Sequence, residues 1–521
     1  MRPIQEVAGD LGLRPKDLIM LGPDKAKVQL SALQPRAHQG RLILVTAMSP
    51  NLAGEGKTTV AIGLVDALRQ LGVKASVALR QPSMGPVFGR KGGAAGAGRA
   101  ELVPAASINL HFTGDFHAIT QAHNLLCSAI DNSLHHGNPL DINPTTVSWP
   151  RVLDLNERAL RKVVVGLGGV VRESGFVITA ASEIMAILAL SRNWGELRQN
   201  LGRIIVARNR EGQPITAEQL KVAGALGVLL RDALLPNLVQ TAEGSPALVH
   251  CGPFANIAHG TSSLVASLLA LQGSELVLQE AGFGADLGGE KFLDLFCPQL
   301  GTYPSLAVLV ITSAGIRSHG LENVIHQLER LDRFALPSVV CLNVHSEDSD
   351  DFRRDTLRAL RDGGRAAFEC EVFTRGGAGA RELAEYIRGF PGGPARVRPI
   401  YHPEQPLRHK IEAVATGVYG ASGIELSASA RRQMEDIERI HPHPLYVCIA
   451  KTQYSLSDDP KKTGVCTGLP LRISEVQLRA GAGFVVPIAG DMMIMPALPS
   501  RPNYEEMELF PDGSIRLTSS Q

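Results

Sequence analysis

The chain has 521 residues, with 52 Lys and Arg against 51 Asp and Glu, and 44% of its residues are apolar. This length corresponds to about three domains of roughly 150 residues each, and the balanced charge gives no overall attraction to nucleic acid or to an anionic membrane. Seven cysteines without a Cys-x-x-Cys pair argue against a disulfide framework and a zinc knuckle. Because the sequence shows neither a secretion signal nor an apolar run of membrane-spanning length, we expect a cytoplasmic protein.

After a polar lead-in over 1–40, where we expect one or two short helices, the first strong pattern is a strand, a helix and a second strand. Residues 42–47 are a compact apolar run with β-branched members, and 74–79 are a second such run. Between them, 57–71 carry apolar residues at helical spacing, and Gly72 ends that pattern. This order predicts a βαβ unit and therefore a parallel sheet.

The same alternation continues along the chain. Further predicted strands are 176–180, 203–207, 247–251, 275–279, 306–312, 338–343, 445–450 and 484–488. Further predicted helices are 116–135, 183–191, 216–235, 321–333, 380–388, 405–418 and 427–439. We therefore predict an α/β fold with a mostly parallel sheet, flanking helices and smaller α/β C-terminal domains.

The turn between the first strand and its helix carries a glycine-rich phosphate-binding pattern. It reads Asn51-Leu52-Ala53-Gly54-Glu55-Gly56-Lys57-Thr58-Thr59. Glycines bring backbone N–H groups close to phosphate oxygens, the Lys57 ammonium reaches the β- and γ-phosphates, and the Thr58 hydroxyl is a ligand for Mg²⁺. Asn51 stands where the usual pattern has its first glycine, so this is a variant. A turn that needs glycine only for its conformation is the alternative, but the flanking strand and helix favour a P-loop-type nucleotide site.

Arg80 follows the second strand and therefore lies at the edge where ligands bind in an open parallel sheet. Its guanidinium could stabilise an acyl phosphate or the transferred phosphoryl group, or it could pair with a surface carboxylate. The glycine-rich segment over 85–98 is too poor in large side chains to pack a core. Inside a nucleotide domain it favours an anion cradle or a mobile lid over a linker.

Long strings of unusual residues, in order along nearly the whole chain, resemble the formate–tetrahydrofolate ligase family. The strings include the phosphate loop, Ile108-Asn109-Leu110-His111-Phe112-Thr113-Gly114-Asp115, Gly252-Pro253-Phe254-Ala255-Asn256-Ile257-Ala258-His259-Gly260, Glu280-Ala281-Gly282-Phe283-Gly284-Ala285-Asp286-Leu287 and Ala450-Lys451-Thr452-Gln453-Tyr454-Ser455.

The resemblance implies an ATP-driven ligation in which formate attacks the γ-phosphate and the N10 amine of tetrahydrofolate then attacks formyl phosphate. It implies that Lys57, Arg80 and Asp115 are catalytic, that residues 51–59 bind ATP with Mg²⁺ on Thr58, and that a monovalent cation can assist. For Asp115, a capping role at the helix that starts at Phe116 is an equal alternative. Partners are then ATP, formate and tetrahydrofolate in a homotetramer, with no nucleic acid and no membrane.

Three domains follow from the resemblance. Residues 1–335 form the P-loop nucleotide- and formate-binding domain, 336–440 the folate-binding α/β domain, and 441–521 the C-terminal domain that closes the active-site cleft. The implied folate-binding residues are His345, Phe373 and Phe283.

The sequence departs from the family pattern at several positions on the acceptor side. The family has other residues at the positions of Gln81, Arg99, Ala314, His345 and Phe373. These changes are either neutral, or they mark a divergent ATP-dependent ligase that activates a small carboxylate for a different acceptor. A non-enzymatic nucleotide switch is a third hypothesis, and the matching strings outside the phosphate loop argue against it. For His111, His117, His250 and His259, a structural hydrogen-bonding role is favoured over a role as ligand or base.

Overall fold

The computed structural model describes residues 1–34, 40–51, 54–89, 95–254, 259–391, 396–441, 443–490, 492 and 494–517. Numbered in chain order, its strands are β1 (Leu18–Met20), β2 (Ala26–Val28), β3 (Arg41–Ala47), β4 (Ala75–Leu79), β5 (Gly96–Ala97), β6 (Ala100–Val103), β7 (Arg151–Leu153), β8 (Val163–Val165), β9 (Arg172–Ser174), β10 (Phe176–Ile178), β11 (Ile205–Arg208), β12 (Pro214–Thr216), β13 (Asn237–Thr241), β14 (Pro246–Val249), β15 (Leu276–Glu280), β16 (Leu306–Ile311), β17 (Ser338–Asn343), β18 (Ala367–Cys370), β19 (Ile424–Leu426), β20 (Tyr446–Val447), β21 (Leu471–Arg479), β22 (Phe484–Ala489), β23 (Glu508–Leu509) and β24 (Ile515–Arg516).

The α-helices, numbered in the same way, are α1 (Ile4–Asp10), α2 (Lys57–Gln70), α3 (Met84–Gly89), α4 (Ala105–Asn109), α5 (Asp115–His135), α6 (Glu183–Leu190), α7 (Trp194–Gly202), α8 (Ala223–Leu229), α9 (Leu264–Gly273), α10 (Cys297–Leu300), α11 (Ser313–His319), α12 (Leu321–Arg333), α13 (Asp350–Asp362), α14 (Val372–Arg375), α15 (Arg381–Gly389), α16 (Leu407–Gly417) and α17 (Ala428–Ile440).

A large sheet dominates the fold, and its central strands are parallel. In the order β14-β4-β15-β3-β16-β17-β18, every neighbouring pair runs in the same direction. The antiparallel strands β13, β2 and β1 extend one edge; β6 pairs with β13, and β5 pairs with β6. The prediction of an α/β fold with a mostly parallel central sheet is confirmed.

Both faces of this sheet are buried. Alternate residues of β3 contribute to two separate apolar clusters: Leu42 and Leu44 to one, Ile43 and Val45 to the other. Successive side chains of a strand point to opposite faces, so the apolar run at 42–47 reads as continuous rather than alternating. The helix α2 packs on one face, because its own buried residues belong to the same cluster as Ile43.

The predicted βαβ unit is present, with one strand inserted. The strands β3 and β4 flank α2 in sequence, but β15 lies between them in the sheet and pairs in parallel with both. The end of β15 is thereby placed directly beside the turn that follows β3.

Two predictions for local structure were incomplete. The lead-in contains a short helix, α1, but it also supplies β1 and β2, which reach the large sheet through β13. The helix predicted over 216–235 is shorter: β12 ends at Thr216 and α8 covers only Ala223–Leu229. Lys221 has φ +58°, a left-handed conformation that a helix does not contain. The helix α8 therefore begins only after this residue.

A second sheet occupies the C-terminal region, in the order β19-β21-β22-β20, with α17 packed against β21. This agrees with the expected smaller α/β unit. The predicted division at 335/336 falls between β16 and β17, which pair in parallel in the large sheet. Both domain boundaries, at 335/336 and 440/441, stay predictions. Within the described ranges, no helix combines the length and apolarity needed to cross a bilayer.

The contact between α2 and α14 gives a test of the packing behind the phosphate loop. A Cβ on Gly63 would lie 2.3 Å from Cγ1 of the buried Val372. We expect Gly63→Ala to lower the free energy of unfolding by about 1–3 kcal/mol, because the helix must move away from its neighbour. Chemical denaturation measures this change.

Two variants complete this experiment. Gly9→Ala in α1 has nothing within 4 Å of the added methyl group, so it should leave stability unchanged or raise it. Adding Val372→Ala to Gly63→Ala should recover part of the loss. A Gly63→Ala protein as stable as the wild type would contradict this packing.

Candidate functional site

Five neighbouring strands of the large sheet deliver polar residues to one edge. Parallel strands end at the same edge, and β4, β15, β3, β16 and β17 are consecutive in the sheet. Arg80 follows β4, Glu280 ends β15, the phosphate loop follows β3, Thr312 follows β16 and Asn343 ends β17. The predicted nucleotide site therefore lies where the topology concentrates functional groups.

The described part of the phosphate loop has the backbone that anion binding needs. Gly54 has φ +86° and Gly56 has φ +70°, conformations that favour glycine, and α2 begins at Lys57. The Gly54 N–H donates to Asn51 Oδ1 at 3.0 Å, which closes the start of the turn. The predicted contacts of Leu52 and Ala53 lie outside the described residues. The N-terminus of a 14-residue helix thus faces the same edge as Arg80.

Glu280 connects the phosphate loop to Arg80. The Thr58 hydroxyl donates to Glu280 Oε2 at 2.6 Å, and Arg80 Nε donates to Glu280 Oε1 at 3.5 Å. The Glu280 side chain is 5% exposed and the Arg80 side chain 22% exposed, so the carboxylate is enclosed while the guanidinium keeps a solvent-facing part. Two predicted site residues, Thr58 and Arg80, are therefore brought together by a third that was not predicted.

A signal for Glu280 was available in the sequence. It directly follows the predicted strand 275–279 and begins one of the strings that resemble the family. A carboxylate at the carboxyl end of a buried parallel strand is a site candidate by the same rule that identified Arg80. Its contact with Thr58 could not be predicted, because the insertion of β15 between β3 and β4 is a tertiary feature.

Gly282 allows the Arg80 guanidinium to lie against the backbone. A Cβ on Gly282 would be 2.7 Å from Arg80 Nη1 and 3.0 Å from Nη2. Any side chain at 282 would therefore displace the guanidinium from its place beside Glu280.

Asp115 is buried in a polar cluster. Lys27 Nζ lies 2.7 Å from Asp115 Oδ1, and Asn237 Nδ2 donates to Oδ2 at 2.7 Å. The capping alternative was wrong: Gly114 is the N-cap residue, and Asp115 is the first residue of α5. A catalytic role for Asp115 stays a prediction. Lys27 could not have been predicted as its partner, because it lies in the lead-in, whose strands were missed.

The three predicted folate-binding residues follow different strands. His345 is exposed just after β17, and Phe373 is 47% exposed in α14 after β18, so these two belong to neighbouring strand ends. Phe283 follows β15 and is half-buried with φ +60°. In the sheet, β3, β16 and β17 stand between β15 and β18. An exposed ring at 373 is suited to stacking, and the role of all three stays a prediction.

Three of the positions that depart from the family pattern are near these groups. Gln81 is 3% exposed, and its backbone N–H donates to Cys251 O at 2.6 Å. The Arg99 N–H donates to Phe373 O at 2.9 Å, and Ala314 lies in the first turn of α11. Gln81 therefore packs next to Arg80, while Arg99 borders the predicted folate side.

The four histidines fall into two pairs. His250 and His259 are fully buried, and burial lowers the pKa of each imidazole to about 4, so both are neutral near pH 7. His250 bonds the Ser263 hydroxyl and Ala233 O, and His259 bonds Ser262 O. These contacts agree with structural roles. His111 and His117 are exposed.

In the described part of the chain, no group of three or more His, Cys, Asp or Glu side chains could hold a metal ion.

Asp154 fixes the segment that follows Arg80. It accepts hydrogen bonds from the Ser83 hydroxyl at 2.5 Å and from the Met84 N–H at 3.1 Å. Burial raises the pKa of Asp154 to about 6, and the two hydrogen bonds oppose that rise only in part. The start of α3 is therefore held by a carboxyl that takes up a proton in mildly acidic solution.

Comparison with known proteins gives a match over the whole chain. The family described as formate–tetrahydrofolate ligase matches residues 1–517. Similar relatives with the same name come from a Roseiflexus species, at 47% identity over 98% of this chain and 97% of the relative, and from a Nocardioides species, at 48% over 99% and 97%. A third, from Acidiphilium cryptum, is 47% identical over 99% of this chain and 97% of its own length.

Asp154 also gives a pH-dependent test. A carboxyl whose pKa is higher in the folded than in the unfolded state favours folding most when protonated. The contribution of Asp154 to the stability of the wild type therefore falls as pH rises from 3.8 to about 6, and it is constant above that pH. Since Asp154→Asn cannot titrate, we expect the stability of wild type minus that of variant to fall across this window. Thermal denaturation at a series of pH values measures it.

The control for this experiment is Glu211→Gln, an exposed carboxyl in a turn, which should preserve the pH profile of the wild type. A difference between Asp154→Asn and wild type that is the same at every pH would overturn the assignment.

Proposed function

The chain belongs to the formate–tetrahydrofolate ligase family, and on this premise we propose that it joins formate to N10 of tetrahydrofolate at the expense of ATP. The products are 10-formyltetrahydrofolate, ADP and phosphate. The observation that carries the proposal is the Glu280 carboxylate, which joins Thr58 of the phosphate loop to the Arg80 guanidinium. Glu280 thereby brings the loop proposed to bind the triphosphate close to Arg80, the cation proposed to bind the acyl phosphate, at one edge of the sheet.

The fold proposed for this site is of the P-loop type. Its supports are the order β3, loop, α2, the two left-handed glycines and the Lys57-Thr58 pair at the start of the helix. We propose that residues 51–59 bind the triphosphate mainly through backbone N–H groups and the Lys57 ammonium.

The chemistry explains why ATP is needed. The carbon of formate is a poor electrophile because its carboxylate is stabilised by resonance. A formate oxygen attacks the γ-phosphorus and ADP leaves, which gives formyl phosphate. The N10 amine then attacks the formyl carbon, the bond from carbon to the phosphate oxygen breaks, and N10 loses its proton. Each step needs positioning and charge neutralisation more than a protein nucleophile.

Thr58 and Glu280 fit a magnesium ion bound with ATP. A hydroxyl and a carboxylate 2.6 Å apart offer the hard oxygen ligands that Mg²⁺ prefers. Thr58 would hold the ion through its hydroxyl oxygen, whose proton is donated to Glu280. Mg²⁺, when bound, would neutralise charge on the β- and γ-phosphates.

Arg80 is proposed to hold the acyl phosphate. The Arg80 Nε–H donates to Glu280, and the Arg80 side chain is partly exposed to solvent. The absence of a side chain at Gly282 leaves room for both Nη atoms. A guanidinium fixed on one side and open on the other can donate two parallel hydrogen bonds to phosphate oxygens.

Tetrahydrofolate is proposed to bind beyond the ends of β17 and β18. Phe373 offers an exposed ring, and the exposed His345 is close in the sheet order. Phe283 follows Gly282, which lies against the Arg80 guanidinium, and is proposed to border the reacting end. For Asp115, the bonds to Lys27 and Asn237 support a role in holding the site's edge together. The monovalent cation, the homotetramer and the cytoplasmic location stay predictions.

The function is tested by a coupled assay for ADP from which formate, ATP or tetrahydrofolate is omitted in turn. Full turnover should need all three. Lys57→Ala should lower kcat about a hundredfold or more, because a charge that is worth most in the transition state is lost. Lys162→Ala, at an exposed lysine paired with Glu173, is the control and should keep wild-type turnover. ADP release that is independent of formate would exclude this function.

The folate side is tested by Phe373→Ala. Removing the ring should raise KM for tetrahydrofolate about tenfold and leave KM for ATP and formate within about twofold, because only the stacking contact is lost. Phe373→Trp keeps a stacking face and should recover most of the affinity. Phe510→Ala, which removes another exposed ring, is the matched control. Equal changes in all three KM values would instead indicate a structural role for Phe373.

A further inference from the structure

The phosphate loop contains a carboxylate, Glu55, which is only 1% exposed. A negative charge is unfavourable in a loop that binds a triphosphate, because two like charges about 5 Å apart repel by several kcal/mol at the edge of a protein. Its position in the middle of the loop therefore needs a physical explanation. The contacts of its side chain and main chain supply one.

The Glu55 carboxylate is buried, and both of its oxygens accept hydrogen bonds from the protein. Oε1 accepts the N–H of Asn51 at 3.0 Å, and Oε2 accepts the hydroxyl of Thr312 at 2.5 Å. The first bond closes the loop on itself. The second ties the loop to the residue that follows β16, a strand adjacent to β3.

The main-chain carbonyl of Glu55 is bonded by a residue at the end of β17. Asn343 Nδ2 donates to Glu55 O at 3.3 Å, and a Cβ on Gly56 would lie 2.5 Å from that nitrogen. Residue 55 is thus the point where side chains from the ends of β16 and β17 both hold the loop.

Gly315 and Thr312 pack closely around the Glu55 carboxylate. A Cβ on Gly315 would be 2.9 Å from Glu55 Oε2 and 3.1 Å from Thr312 Oγ1. The Thr312 hydroxyl also accepts the Gly315 N–H at 3.0 Å, so its donor and an acceptor site are both used. Such enclosure keeps the charge in one orientation.

We propose that Glu55 is a positioning residue that sets the shape of the phosphate loop through Thr312, with its carboxylate facing away from the nucleotide. This inference rests on the proposed function, since it concerns how that site binds MgATP. It assigns the Glu55–Thr312 pair to nucleotide affinity, although neither side chain contacts the nucleotide.

The test is a double-mutant cycle read by calorimetric titration of the full-length protein with MgATP, without formate or tetrahydrofolate. Glu55→Ala and Thr312→Val should each weaken MgATP binding about tenfold or more, because the loss of one buried charged hydrogen bond releases the loop. The double variant should bind MgATP no more weakly than Glu55→Ala alone, because Thr312 acts on the loop through Glu55. The conservative Glu55→Gln and Thr312→Ser should recover most of the affinity.

Steady-state kinetics separate positioning from general damage. The Glu55→Ala variant should raise KM for ATP while KM for formate and tetrahydrofolate stay within about twofold. Thr241→Val is the matched control: the Thr241 hydroxyl donates to the buried Asp66 carboxylate at 2.6 Å, a pair of the same kind outside the loop. It should lower the melting temperature and leave MgATP affinity unchanged.

The outcomes distinguish the two proposals. If the wild type does not bind MgATP, or Lys57→Ala binds it equally well, the proposed function fails. If wild type binds MgATP and Lys57→Ala does not, while Glu55→Ala and Thr312→Val bind normally or lose affinity additively, the positioning role of Glu55 is overturned.

Discussion

The candidate site depends on carboxylates that are enclosed and paired at one edge of the sheet. Glu280 is held between the Thr58 hydroxyl and the Arg80 guanidinium, and Glu55 between the Asn51 N–H and the Thr312 hydroxyl. A buried charge is tolerated only when hydrogen bonds replace its lost water, so each pair has one favourable geometry. The positions of the loop and of Arg80 follow from that requirement.

The sheet topology is what makes these pairs available. With β15 between β4 and β3, the end of one strand reaches both Arg80 and the start of α2. On the other side of β3, the ends of β16 and β17 reach the loop through Thr312 and Asn343. The proposed nucleotide site is therefore supported from both sides by strand ends, which suits a reaction in which positioning provides most of the rate enhancement.

Several features were predictable because they depend on local patterns. The strand at 42–47, the helix from Lys57 and the strand at 74–79 follow from apolar spacing and glycine, and the structure has β3, α2 and β4 there. Other features were missed because they depend on partners elsewhere. The strands β1 and β2 are too short for a visible pattern: β13 pairs with β2, and β2 pairs with β1. Asp115 is fixed by Lys27, 88 residues away in sequence.

The sequence by itself determined the fold class, the family and the chemical identity of the phosphate loop. These follow from the order of apolar runs and from residue types that act within a few positions of each other. Only the tertiary structure decided that Glu280 bridges Thr58 and Arg80, and that Glu55 accepts a hydrogen bond from Thr312. The reason is physical. Thr58 and Glu280 are 222 residues apart in sequence, Glu55 and Thr312 are 257 residues apart, and no local pattern specifies which strand ends become neighbours.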